Sequence, residues 1–297
     1  ALGAKLLEVD PLLASFTGFV ERRGEMIVTI NTALAWATVD PEASRARIAR
    51  RISVVRGFAS YLQAFDPATQ VPPGHLLACG PTRTAPHIYT DEQISALLAA
   101  ANLLEPQLHA AALRTLIGLM AAAGLRTGEV LRLDRQDFDA SAETLTIMKS
   151  KWGKSRRIPL HPTTTKALQD YGKLRDQELP RPSDPALLLT RRGTRIAPST
   201  LHPWFAQART AAGIPCQPGQ RRPRAYDLRH TFAVHTLRDW HAAGLDVRQQ
   251  LPVLSSYLGH VNPDNTYWYL QAVPELMNVL ADRLTHYLNG DLDGEPS

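Results

Sequence analysis

A mainly α chain with a small antiparallel β-sheet, an α+β architecture in two parts, is what the sequence predicts, and three observations carry the prediction. Apolar residues recur at three- and four-residue steps through most of the 297 positions, the spacing of amphipathic helices. One pair of stretches, residues 144–149 and 155–160, alternates as half-buried strands do. A run over residues 66–90 that holds Pro67, Pro72, Pro73, Gly74, Gly80, Pro81 and Pro86 separates a smaller N-terminal part from a larger C-terminal one, as an interdomain linker would. The expected division is a helical domain over 1–80, a linker over 81–90 and a second domain over 91–297.

Taken in order, helices are expected over 11–21, 26–39 and 41–65. In the third, Ile48, Ile52, Val55, Phe58, Ala59 and Leu62 form one face while Arg45, Arg47, Arg50, Arg51 and Arg56 fill the other. Thr90 followed by Gln93 is a capping-box start for a helix over 91–103. A second helix over 107–123 stops at Gly124, as a C-cap glycine would stop it. Thr127 is placed to cap a short helix, which fixes Arg126 at a junction between two helices. The alternating stretches form a hairpin in which Leu145 and Ile147 face Ile158 and Leu160. Lys149, Lys151, Lys154, Arg156 and Arg157 make its tip basic. Helices over 163–177 and 199–212 follow, with a strand-like L-L-L-T between them. A further helix carries Arg229, another ends at Gly259, and Asn262, Pro263 and Asp264 start a short helix under Tyr269. An apolar helix over 274–288 closes the chain.

Composition narrows the chemistry. Lysine and arginine number 33 against 28 acids, a net charge of +5, which fits a polyanionic partner. The two cysteines, Cys79 and Cys216, are far apart and form no C-x-x-C pair, so neither a disulfide framework nor a zinc cluster is indicated. A reducing, cytoplasmic setting is expected, and no apolar run reaches membrane-spanning length. Within residues 226–270 stand Arg229, His230, His260 and the hydroxyls of Tyr226, Tyr257, Tyr267 and Tyr269. An arginine is a planar donor fork for phosphate oxygens. A histidine adds a hydrogen bond, and a tyrosine becomes a covalent nucleophile once charge at phosphorus is stabilised. Tyr267 and Tyr269 lie roughly 200° apart on a helix, so one of the two can face a shared site. Further basic clusters, Arg191, Arg192 and Arg195, then Arg221, Arg222 and Arg224, suit phosphate contacts that position DNA without reading it.

The order G-L-R-T-G-E (Gly124 to Glu129), basic hairpin, D-L-R-H-T-F-A (Asp227 to Ala233), L-G-H (Leu258 to His260) and a tyrosine nine positions later resembles the tyrosine recombinase, or phage integrase, family. The resemblance is strong from Gly124 to Leu270 and weaker before residue 80. It implies a helical core-binding (SAM-like) domain that closes on DNA, and a catalytic domain with Tyr269 as nucleophile. Arg126 and Arg229 would then bind phosphate, His260 would add a hydrogen bond and Glu129 would orient the site. Aligning on R-I-P-L puts the hairpin's catalytic lysine at Lys151, with Lys154 the second choice. Arg45, Arg47, Arg50, Arg51, Lys149, Lys154, Arg156, Arg222 and Arg224 are the expected DNA contacts. Where the family usually has a histidine this chain has Tyr226, which can donate a hydrogen bond but is a poorer proton acceptor than imidazole at neutral pH. His230 reads as a packing residue, His235 and His241 as solvated or structural.

The implied activity is site-specific recombination or integration, as in a mobile-element integrase or transposase. It proceeds through a 3′-phosphotyrosyl link and needs no metal, nucleotide or other cofactor. The implied partners are double-stranded DNA with a specific core site, in the nucleoid, and three further copies of the chain in a tetramer joined through the last helix. Two alternatives use the same residues: a type IB topoisomerase, and a DNA-binding accessory protein that keeps the fold without the chemistry.

Overall fold

The structure, a computed structural model, describes residues 9–77, 85–148, 155–216, 221–260, 266 and 269. Two compact units divide the chain, residues 1–83 and 84–297.

The first unit holds α1 (Val9–Arg22), α2 (Ile30–Ala37) and α3 (Arg45–Leu62). Phe16, Trp36, Ile52, Val55 and Ala59 make its core, and the Phe16 ring meets Trp36 edge-on at 5.2 Å, a geometry in which a ring edge faces a π-cloud. Both α2 and α3 begin later than the apolar pattern suggests, because Thr29 and Ser44 sit in extended conformation and accept the Thr32 and Arg47 backbone N–H groups. These caps outrank the flanking apolar residues in setting the boundary. The Pro-rich segment after α3 belongs in part to this unit. Gln70 donates its backbone N–H to Val28 O at 2.9 Å, and Arg56 donates to Pro72 O and Pro73 O, both at 2.7 Å.

The second unit is built around α5 (Gln107–Ala123), against which α4 (Asp91–Ala101), α7 (Pro162–Glu178), α8 (Pro198–Ala211) and α9 (Asp227–Ala242) pack. Among the described residues the other α-helices of this unit are α6 (Thr127–Val130) and α10 (Val247–Leu258). The Thr90–Gln93 capping box forms as expected. Leu113, Leu116, Ile117 and Met120 of α5 are fully buried, which its even apolar spacing requires of a helix covered on several sides. A three-stranded antiparallel sheet, β1 (Phe138–Asp139), β2 (Thr144–Ile147) and β3 (Arg156–Pro159), is ordered β1-β2-β3, with Leu145 opposite Ile158. β1 is an addition to the expected hairpin, too short to leave an alternation in the sequence. The L-L-L-T segment forms no strand; Leu189 makes an isolated bridge to Arg195. Among the described residues no helix is long and apolar enough to cross a membrane.

Two left-handed glycines end the helices that lead into the site. Gly124 caps α5 at φ 59° and Gly259 caps α10 at φ 66°, conformations that a Cβ disfavours. At Gly124 the space is closed as well: a Cβ there would stand 2.4 Å from Cδ1 of Phe232 on α9. Gly124→Ala is therefore expected to destabilise the domain by about 2–5 kcal/mol, from the left-handed backbone and the overpacking together. An unchanged urea midpoint would contradict this.

Candidate active site

Four segments distant in sequence meet at the two glycine turns. Arg126, between α5 and α6, donates to Gly259 O at 2.8 Å, and Arg229, on α9, donates to Gly124 O and Leu258 O at 2.7 Å each. The arginine of each box thus reaches the glycine turn of another, and the turns' outward carbonyls, left without helical partners, are what they bind. Arg229 is entirely buried, and its Nε makes no hydrogen bond among the described residues. Arg126 keeps about a fifth of its side chain exposed.

Glu129 supports this arrangement from beneath. Its buried carboxylate accepts the Arg126 backbone N–H at 3.0 Å and the Arg126 guanidinium at 2.7 Å. It also accepts a bidentate pair from Arg156 at 2.9 and 3.0 Å, and Arg229 Nη1 stands 3.9 Å away. Burial by itself would raise the Glu129 pKa, but the hydrogen bonds and charge of Arg156, then of Arg126, outweigh it and hold the group at about 2. The Glu129 contact to the Arg126 N–H also puts Arg126 at the N-cap of α6, the place expected for Thr127, which is instead the helix's first residue. Three guanidiniums share one carboxylate, so the cluster carries two uncompensated positive charges, a setting that attracts an anion.

Tyr269 is buried, with its hydroxyl 2.9 Å from His230 Nδ1, and its ring lies over His260 at 6.2 Å between centroids. Burial raises the phenol's pKa to about 12 against the lowering effect of Arg229. Burial, then Arg229 and Arg221, lowers His230 to about 4. Burial, then Arg229 and Arg126, lowers His260 to about 3. Both imidazoles are neutral at neutral pH, and the phenol is protonated. Burial, then Arg126, brings Arg229 to about 10, so it stays charged. His260 Nδ1 is 2.7 Å from Thr266 Oγ1. Tyr226, at the start of α9, is half-buried and meets the His230 ring edge-on at 5.1 Å.

Of the residues expected at the site, Arg126, Glu129, Tyr226, Arg229, His260 and Tyr269 are brought together. Lys151, Lys149 and Lys154 lie outside the described residues, as does the helix over 274–288. Several arginines need correction. Arg156 does not face outward with the basic hairpin: it is bound to Glu129 and donates Nε to Tyr257 O at 2.9 Å. Strand alternation contained that signal, since Arg156 shares a face with the inward Ile158 while Arg157 points away. Arg51 donates to Ala37 O at 3.1 Å and lies over the Trp36 ring. Arg195 is paired with Asp134 and Asp184. Arg45 and Arg222 are exposed, as is Arg47, which pairs with Asp40, and Arg50 is exposed; Arg224 is exposed but pairs with Asp227. His230, expected as a packing residue, does pack against the rings of Tyr226 and Tyr269, and its Nδ1 also lies 2.9 Å from the Tyr269 hydroxyl. Its place one turn after Tyr226, on the same face of α9, was the available signal.

A helical domain in which two arginines, two histidines and a tyrosine converge on one small basic site defines a tyrosine recombinase catalytic fold. Residues 88–275 match the profile described as the phage integrase family, and the chain belongs to that family. It is 38% identical over 289 residues to a putative integrase/recombinase, y4rB, of Sinorhizobium fredii (strain NBRC 101917 / NGR234), covering 95% of this chain and 92% of that one. It is 28% identical over 223 residues to the tyrosine recombinase XerC of Rhizobium meliloti (strain 1021), covering 75% of this chain and 65% of the relative. Among solved structures, its fold is shared with XerA recombinase (TM-score 0.52, 22% identity, 94% of this chain and 90% of that one). It is shared too with the Tn1549 transposon integrase in complex with transposon right end DNA (TM-score 0.62, 18% identity, 87% and 86%). These matches support neither the topoisomerase nor the accessory alternative.

Proposed function

We propose that this recombinase cuts and rejoins double-stranded DNA at a specific core site, with Tyr269 as the nucleophile. The observation that carries the assignment is the position of the Tyr269 hydroxyl, within the buried cluster that holds Arg229, His230 and His260. The phenol oxygen attacks the scissile phosphorus and the 5′-oxygen leaves, so the DNA is held as a 3′-phosphotyrosyl ester. Arg126, through its exposed part, and Arg229, through the Nε that makes no hydrogen bond among the described residues, donate to the non-bridging oxygens where charge builds. Donors set in place before the reaction cost no reorganisation when that charge appears. His260 adds a donor, Tyr226 donates from the position where the family usually has histidine, and Lys151 protonates the leaving oxygen. Because the ester conserves the energy of the bond, a 5′-hydroxyl from a second duplex reverses the step without a cofactor.

Arg45, Arg47, Arg50, Arg222 and Arg224 remain suited to backbone contacts, while Arg51 and Arg156 hold the protein together. Exchange between two duplexes calls for four copies of the site, and the apolar face of the segment over 274–288, with Leu276, Leu280 and Leu284, is the proposed connection between copies. The polarity of cleavage tests the chemistry. A duplex that carries the protein's core site should, once cleaved, present a 5′-hydroxyl that polynucleotide kinase labels and a 3′-end blocked by protein. A free 3′-hydroxyl would contradict the proposal.

A further inference from the structure

The family's usual histidine is absent at position 226, yet an imidazole still meets the nucleophile, from one helical turn further along α9. His230 Nδ1 lies 2.9 Å from the Tyr269 hydroxyl, and the Tyr226 ring packs edge-on against the same imidazole at 5.1 Å. His260 is differently engaged, with its Nδ1 directed to Thr266 at 2.7 Å. The geometry points to His230 as the group that accepts the Tyr269 proton when the phenol attacks phosphorus. The inference rests on Tyr269 being the nucleophile.

The Tyr269 O–H bond breaks as the O–P bond forms, and the proton passes to His230 Nδ1. The P–O5′ bond breaks and its oxygen takes a proton from a separate donor. When the 5′-hydroxyl of the incoming strand attacks, the phenol oxygen is the leaving group, and His230 returns the proton. An imidazole on the nucleophile's side serves both directions, which is what a reversible transfer needs.

Electrostatics fit that task at the moment of reaction. Among the described residues, the groups that face His230 include Arg229 on its own helix, Arg221 in the preceding loop, the phenols of Tyr226 and Tyr269, and the imidazole of His260. Burial and the two arginines keep His230 neutral at neutral pH, so Nδ1 can receive the phenol's hydrogen bond. A phosphodiester docked on Arg126 and Arg229 brings negative charge that offsets those arginines, and the phenol becomes far more acidic as its oxygen bonds to phosphorus. Neither shift exists before DNA binds, so the free protein holds its nucleophile protonated.

His230→Asn separates proton transfer from positioning, because the Asn Oδ1 occupies nearly the place of Nδ1 and accepts a hydrogen bond but does not take a proton. Single-turnover cleavage of a nicked duplex should slow by about 10²-fold or more, with DNA binding and melting temperature retained. Placing a trifluorotyrosine at position 269, whose phenol is more acidic, should recover at least a tenth of the loss in His230→Asn and change the wild-type rate little. A His230→Asn enzyme as fast as wild type, or a slow one that the fluorinated residue does not rescue, would overturn the inference. So would rescue that appears in Lys151→Ala and not in His230→Asn. His230→Gln carries the same test should the Asn variant not fold. If the wild type itself forms no adduct at Tyr269, the nucleophile assignment has failed, a result distinct from any His230 outcome.

Discussion

Tyr269→Phe is expected to remove covalent attachment to DNA altogether while leaving DNA binding intact. The substitution deletes one oxygen from a ring packed in the cluster of Ala233, Val234, Leu237 and Leu251. The ring and its packing stay. The hydrogen bond to His230 is lost, and a neutral pair of this kind is worth about 0.5–1.5 kcal/mol. That is small against the roughly 5–15 kcal/mol by which a domain is stable, so a loss of activity would be chemical and not a loss of fold. Trapping on a nicked suicide duplex followed by denaturing electrophoresis checks it. The neighbouring Tyr267→Phe should still give the adduct, and the reverse pattern would show the nucleophile to be Tyr267.

Replacement of Glu129 should have the largest effect on stability. The carboxylate is the shared counter-charge of Arg126 and Arg156 and lies 3.9 Å from the wholly buried Arg229. Removing one partner of a buried charge cluster leaves the others uncompensated, which costs about 3–5 kcal/mol. Glu129→Ala should lose that much in urea unfolding at pH 7. Because the folded Glu129 pKa, about 2, lies below the ordinary carboxylate value near 4.3, its ionised form stabilises the fold. That contribution is fully present above the unfolded value and is lost as pH falls from about 4.3 towards 2. Glu129→Gln should therefore be less stable than wild type at pH 7 and converge towards it at pH 3. A gap that stays constant across that range would contradict the assignment.

Much of the site was legible because its residues belong to short boxes whose local structure is set by local chemistry. Gly124 and Gly259 are where a helix must end in a left-handed turn, and the arginines next to those turns find carbonyls that the helices leave unpaired. The hairpin was legible from its alternation, and the helices from their periodicity. What misled was charge taken without direction. Arg51, Arg156 and Arg195 were grouped with exposed arginines, although an arginine stem on an inward face can carry its guanidinium to a buried acceptor. Ala37 O, Glu129 and Asp184 are those acceptors, and none is near its arginine in a way that sequence spacing reveals. The contact of His230 with Tyr269 was hidden for the opposite reason. Its neighbour Arg229 drew the functional reading, while the hydroxyl that His230 meets, that of Tyr269, is 39 residues away. The early start of the second helix was misjudged because apolar spacing says nothing of where a cap such as Thr29 interrupts it.

The most direct test of the account is to identify the residue that carries the DNA. The wild-type protein would be trapped on a nicked duplex containing its core site, digested with protease and nuclease, and the nucleotide-bearing peptide sequenced by tandem mass spectrometry. A single modified residue is expected, Tyr269, linked through its phenolic oxygen to a 3′-phosphate. A nucleotide on Tyr257, Tyr267 or Tyr226, or on any serine, would contradict it.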